Sequence, residues 1–208
     1  MQSKSEKKYE AVVLVKDSGG PAGPGHVSVT FVKKEEGGTP KKSHTSFFPG
    51  AFGSILTGLS FGSIPVLGQV EKNPEVDFKE ANHVLRKEIT KEEYKKGTAT
   101  QDEFHKDTTT GKNVYAVFGT ANPISEVVCD TYCKSHVEGD AFSGIPPEME
   151  RIAEKPEIHN CASSVTKVLK GSGLHSFSNP IIPTFFTQEL KQHGFEEVDK
   201  KAMENIFK

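Results

Sequence analysis

The chain has 208 residues, 34% hydrophobic and 26% charged, with 26 Lys and Arg against 28 Asp and Glu. That length buries a substantial core, and the balance excludes wholesale disorder. A net charge of −2 builds no broad phosphate-neutralising surface, so no nucleic-acid partner is expected. Three cysteines are too few for a disulfide scaffold, which points to reduced thiols in a cytosol-like compartment.

The opening MQSKSEKKYE is charged and has no apolar run, so no secretory signal is expected. Ala11 to Val15 (AVVLV) reads as a strand buried on both faces. The Gly/Pro loop from Asp17 to Gly25 breaks it. His26 to Val32 then alternates, with Val27, Val29 and Phe31 on one face and His26, Ser28 and Thr30 on the other. A turn at Gly37-Gly38 returns the chain as Ser43 to Phe48, giving an antiparallel three-stranded meander. Between Ser43 and Val70 there is no Lys, Arg, Asp or Glu, yet glycines and prolines interrupt the stretch too often for a membrane span. It reads as a loop from Phe52 to Gly68 that either simply covers apolar surface or closes over a cleft.

Asp77 to Glu88 places Phe78, Ala81 and Leu85 at helical spacing behind an Asp cap. Thr90 and Glu93 form a capping box for a short helix ending at Gly97, and Thr98 to Lys112 reads as polar loop. Asn113 to Phe118 is a strand of the same sheet, Ser125 to Val137 a helix, and Ala141 to Pro147 a turn. Asn160 caps a helix from Cys161 to Lys170 with Val165, Val168 and Leu169 on its buried side. A further helix covers Pro183 to His193, and the charged tail Glu196 to Lys208 reads as an amphipathic helix or as a signal for export. The fold class is α+β: an antiparallel sheet with packed helices, and its key helix late in the chain.

Cys161 is the most informative residue. A thiol in the first turn of a helix meets free N–H groups and the positive dipole end, which stabilise the thiolate form. Cys129, Cys133 and His136 share one helix face, but no second cysteine pair exists to complete a zinc site, so they read as core and no metal or cofactor is expected. His159 reads as a surface or cleft-rim residue.

The segment NCASSVTKVLKGSGL, Asn160 to Leu174, resembles the nucleophile helix of the circularly permuted papain-like (NlpC-type) cysteine enzymes. GPGHVSVTF, Gly23 to Phe31, resembles the histidine strand of that family, SFFPG, Ser46 to Gly50, the end of its next strand, and NPIIPTFFTQEL the helix that follows the nucleophile. The resemblance implies one papain-like domain over residues 1–208 with an apolar insertion at about 50–70 and a charged C-terminal tail. It implies Cys161 as nucleophile and His26 as general base.

The third residue stays open. A turn at Gly37-Gly38 sets His26 opposite Pro49 and His44 roughly 17 Å along the strand. Ser46 is nearer but orients weakly, and Asp17 faces His26 across the Gly/Pro loop, so Asp17 is the first choice before Ser46 and His44. Two functions follow. One is a thiol hydrolase (peptidase or amidase) or acyltransferase acting on a peptide, protein, amide or ester, with a host-cell protein among the targets if a specialised secretion system exports the chain. The other is a non-catalytic binding module or effector on the same fold.

Overall fold

The architecture follows from one strand that is apolar on both sides. The computed structural model describes residues 7–19, 25–50, 53–54, 64–121, 123–137, 155–174, 177–178 and 183–207. They form two compact units, residues 1–46, 71–102 and 161–208, and residues 47–70 and 103–160. The expected turn at 141–147, and most of the expected loop at 52–68, lie outside the described residues.

In the first unit β1 (Lys8–Lys16) pairs antiparallel with β2 (His26–Lys34) on one side and β5 (His83–Ile89) on the other. β3 (Lys41–Pro49) pairs antiparallel with β2, and the two-residue β8 (Glu196–Glu197) with β5, so the strand order is β3-β2-β1-β5-β8. Alternation along β1 sends Ala11, Val13 and Val15 to one face and Val12 and Leu14 to the other, all of them buried. The first face joins Val27, Val29, Phe31 and Leu85 to Val165, Val168 and Leu169 of α4 (Cys161–Gly171) and to Phe186 and Leu190 of α5 (Pro183–Gln192). The second face joins Val32 and Val84 to Phe78 of α1 (Glu75–Glu80) and to Met203, Ile206 and Phe207 of α6 (Lys200–Phe207). Burial of Val165, Val168 and Leu169, each 0% exposed, contributes on the order of 5 kcal/mol. The charged tail is thus a strand and a helix that close the second face, with Phe207 stacked on Phe78.

The residues expected to form one helix from Asp77 to Glu88 divide into α1 and β5. Val84 and Leu85 are adjacent yet buried on opposite faces of the sheet, which only a strand allows. The helix beginning at the Thr90–Glu93 box has the expected start, with Thr90 N–H donating to Glu93 Oε2 at 2.6 Å and Glu93 N–H to Thr90 Oγ1 at 3.2 Å. It does not stop at Gly97. It runs as α2 (Lys91–Thr109) through the residues read as loop, where Thr100, Thr108 and Thr109 return their hydroxyls to carbonyls one turn back. Gly97 is a contact glycine, since a Cβ there would stand 2.3 Å from the Phe31 ring.

In the second unit the short β6 (Asn113–Tyr115) lies between β4 (Val66–Glu71), antiparallel, and β7 (Glu157–His159), parallel. The strand expected over 113–118 is therefore shorter, and its partners here are not the meander strands. β4 also replaces the end of the expected loop, with Gly68 packed so closely that a Cβ would overlap Phe47. Cys129, on α3 (Pro123–Val137), is buried with Val114, Ala116 and Ile158, as its helix-face position implied; the side chains of Cys133 and His136 lie outside the described residues. His159 is a correction: it is 9% exposed and edge-on to Phe47 and Phe104 instead of lying at the surface. Among the described residues no helix is long and apolar enough to cross a membrane.

Gly97→Ala tests the contact of α2 with the sheet. Alanine gains about 1 kcal/mol of helix propensity, but overpacking a filled site costs about 1–3 kcal/mol. Phe31 is 0% exposed and meets Tyr94 edge-on, so it has no room to yield. Thermal melting should therefore show a lowered Tm; an unchanged or higher value would contradict this packing.

Candidate active site

α4 packs against β2, and the first residue of each element contributes one side chain to the site. Ala162, Ser163 and Ser164 are small and buried, which lets the helix start close to the sheet. Cys161 is 7% exposed and in no disulfide. The Val27 and Ala162 N–H groups favour the charged form of its sulfur, so the strand start and the helix start both contribute. His26 alternates onto the opposite face of the sheet from Val27. Being the first residue of β2, it lies near enough to the thiol for the charged forms of the two groups to stabilise each other.

On its other side His26 meets a polar cluster. Nε2 lies 2.7 Å from Ser46 Oγ and 3.7 Å from Asp77 Oδ2, the second being an ion-pair distance longer than a hydrogen bond. The same Asp77 oxygen lies 3.1 Å from His44 Nε2, and His44 Nδ1 lies 2.8 Å from Thr30 Oγ1. Asp77 is carried by α1 beside Phe78, whose ring anchors that helix in the second core face. The Ser28 hydroxyl, buried without a hydrogen-bond partner among the described residues, lines one small cavity with Asp77 and favours the charged carboxylate.

The charges reinforce one another. Burial pushes the His26 imidazole down, but Asp77 and Cys161 outweigh it, and the ring is raised from 6.5 to about 10. Burial pushes the Cys161 thiol up; His26 and the two backbone N–H groups reverse that and hold it below its ordinary value. Burial likewise raises Asp77, and His26, His44 and Ser28 together hold it well below the usual carboxylate range. Each of the three groups thus favours the charged form of its neighbour: the thiol is lowered, the imidazole raised and the carboxylate lowered.

Of the residues predicted from the sequence, Cys161 and His26 come together, and Asp17 does not join them. Its carboxylate lies 3.0 Å from His83 Nε2, whose Nδ1 is 2.6 Å from Glu197. Lys16, not Asp17, is the residue opposite His26, and one step along a strand reverses the side chain. The β2–β3 register also differs by one from that expected, because the turn closes with Gly38 N–H on Glu35 O; Ser28 faces Ser46 and Thr30 faces His44. Asp77 was read only as a helix cap. Pro74 holds that position, and Asp77 lies inside the helix.

Compared with known proteins, the chain matches no protein-family model, no curated protein and no solved structure.

Asp77→Ala should reveal the cluster in the pH dependence of stability. The Asp77 contribution is full above its unfolded value near 3.8 and disappears as pH falls through its lowered folded value. The His26 contribution is full below its unfolded value of 6.5 and disappears as pH rises to about 10. Resistance of the wild-type protein to urea should therefore fall toward acid, and Asp77→Ala should flatten that limb; on the alkaline side the loss from His26 is opposed by the gain from the lowered Cys161 thiol. Asp17→Ala, removing a partly exposed pair, should cost less than about 1 kcal/mol and leave the acid limb in place. Equal flattening by the two variants would refute this assignment.

Proposed function

We propose that the chain is a cysteine hydrolase or acyltransferase of the permuted papain-like kind, working through an acyl-Cys161 intermediate on an amide or ester of a peptide or protein. The observation that carries this reading is the single imidazole between a thiol and a carboxylate, with the thiol held low despite burial. A cysteine that serves only as a small buried hydrophobe gains nothing from such an arrangement and would have its ionisation pushed up.

The roles follow from the chemistry. The Cys161 thiolate attacks the carbonyl carbon, forming the S–C bond while the carbonyl π pair moves to oxygen. That oxyanion is stabilised at the N-terminus of α4, where backbone N–H groups have no carbonyl one turn earlier. Nε2 of His26 is occupied on the Ser46 and Asp77 side, which leaves Nδ1 to serve the thiol and then the leaving group. As the tetrahedral intermediate collapses, the imidazolium gives its proton to the departing amine or alcohol. Water, or an acceptor nucleophile, then loses a proton to the neutral ring as it attacks the thioester, and Cys161 returns as thiolate with His26 protonated. Asp77 stabilises the imidazolium throughout, in the role first assigned to Asp17.

p-Nitrophenyl acetate is a suitable probe, because it needs no specific binding pocket. It should acetylate Cys161, read by peptide mass mapping, with release of nitrophenolate. Cys161→Ala should abolish the adduct, His26→Ala should slow it by at least about 100-fold, and Cys129→Ala should leave it intact. The ion pair is the reactive form, so turnover should rise as pH passes the lowered thiol value and fall as it passes about 10, where His26 gives up its proton. A wild-type protein that is not acetylated at Cys161 would leave the fold as a binding module.

A further inference from the structure

His44 and Thr30 extend the cluster beyond the three residues with assigned roles. His44 has a side chain 0% exposed, and both of its ring nitrogens are engaged. Asp77 is a carboxylate and can only accept, so the His44 Nε2 must carry a proton and donate to it, while Nδ1 pairs with the Thr30 hydroxyl, which can serve as donor or acceptor. Thr30 faces His44 directly across the β2–β3 pair, so the strand register holds the ring.

Phe78 anchors α1 in the second core face, but nothing in that short helix bonds the Asp77 carboxylate itself. α1 has six residues, its N-cap is Pro74 and it has no side-chain capping bond. The Asp77 side chain is 14% exposed, which leaves a route to solvent. The Asp77 carboxylate stands 3.7 Å from His26 but 3.1 Å from His44, so the shorter, better-made bond is to the second histidine. The other charges nearby are already matched. Lys16 on β1 reaches Glu80 at 2.8 Å, Lys79 reaches Glu75 at 2.8 Å, and the Lys200 ammonium of α6 donates to the Lys79 and Ala81 carbonyls. None of these cations is bonded to Asp77; Lys16, which lines the same cavity as Asp77, is paired with Glu80.

We infer that His44 is a positioning residue: its ring, set by Thr30, anchors the Asp77 carboxylate in the place from which it holds the His26 imidazolium. The inference rests on the proposed thiol chemistry. A chain built only for stability would fill this buried position with an apolar residue, since an imidazole there costs desolvation and is repaid only through its two bonds. In His44→Leu the carboxylate loses its anchoring donor against an apolar wall and turns toward solvent. His26 is then held less firmly as imidazolium, and the Cys161 thiolate loses part of its stabilisation.

The experiment is the rate of iodoacetamide alkylation at Cys161 against pH, read at that peptide by mass spectrometry. In the wild-type protein the midpoint of the rise to the thiolate plateau should lie below the ordinary thiol value of 9.0. In His44→Leu the midpoint of that rise should move up by about one pH unit, the scale of one lost hydrogen bond to a charged group. His44→Gln, which can place an N–H donor near the same carboxylate, should recover most of the shift. Thr30→Val, which removes only the hydroxyl behind the ring, should move the midpoint in the same direction by less; it carries the test if His44→Leu does not fold. A wild-type midpoint near 9.0 would defeat the thiol reading itself. A low wild-type midpoint that stays put in folded His44→Leu or Thr30→Val, or moves down, would overturn the role of His44 alone.

Discussion

One imidazole connects the two layers that cover this sheet. α4 lies on one face and carries the thiol; α1 lies on the other and carries the carboxylate. A side chain in the middle of β2 serves only one face, because alternation commits it. His26 escapes that commitment by being the first residue of the strand, so its ring meets both helices round the end of the sheet. The site therefore depends on both cores. If α1 shifts, the ring loses its counter-charge; if α4 shifts, it loses the thiol. Burial alone would make all three groups neutral, and only their mutual proximity keeps them charged.

The central elements were legible because their patterns are unambiguous. AVVLV has no polar position and must be buried on both sides, while HVSVTFV alternates without a break. The capping box at Thr90 and the stripe of Val165, Val168 and Leu169 are equally local signals. Where reading failed, two periods competed. In Asp77 to Glu88 the apolar positions fit a helix, but β1 needed a second strand beside it, and that need lies in the fold and not in the segment. Residues 98–112 look like loop because they are polar, yet threonine hydroxyls that return to the preceding turn and a glycine pressed on Phe31 let a polar helix stand.

Cys161 and His26 were legible through position: a thiol opening a helix and a histidine opening a strand. The carboxylate was not. Asp17 is close to His26 along the chain, whereas Asp77 reaches it only once β1, β2 and α1 have been assembled. The discount of His44 was sound for direct contact, since distance along the backbone separates it from His26. It overlooked that a third side chain from another layer bridges the two rings. Single-residue register also mattered, since it places Thr30 opposite His44 and turns Asp17 toward His83.

The claim at the centre is that folded protein favours the Cys161 thiolate through its pairing with a protonated His26. Ultraviolet thiolate absorbance, taken as the difference between the wild-type protein and Cys161→Ser during a pH titration, measures it without substrate or inhibitor. The absorbance should develop at a pH below the ordinary thiol value of 9.0, and that midpoint should rise toward the ordinary value in His26→Ala. Absorbance that first develops as pH approaches that ordinary value would mean a neutral, unpaired thiol and would contradict the ion pair on which the proposed chemistry rests.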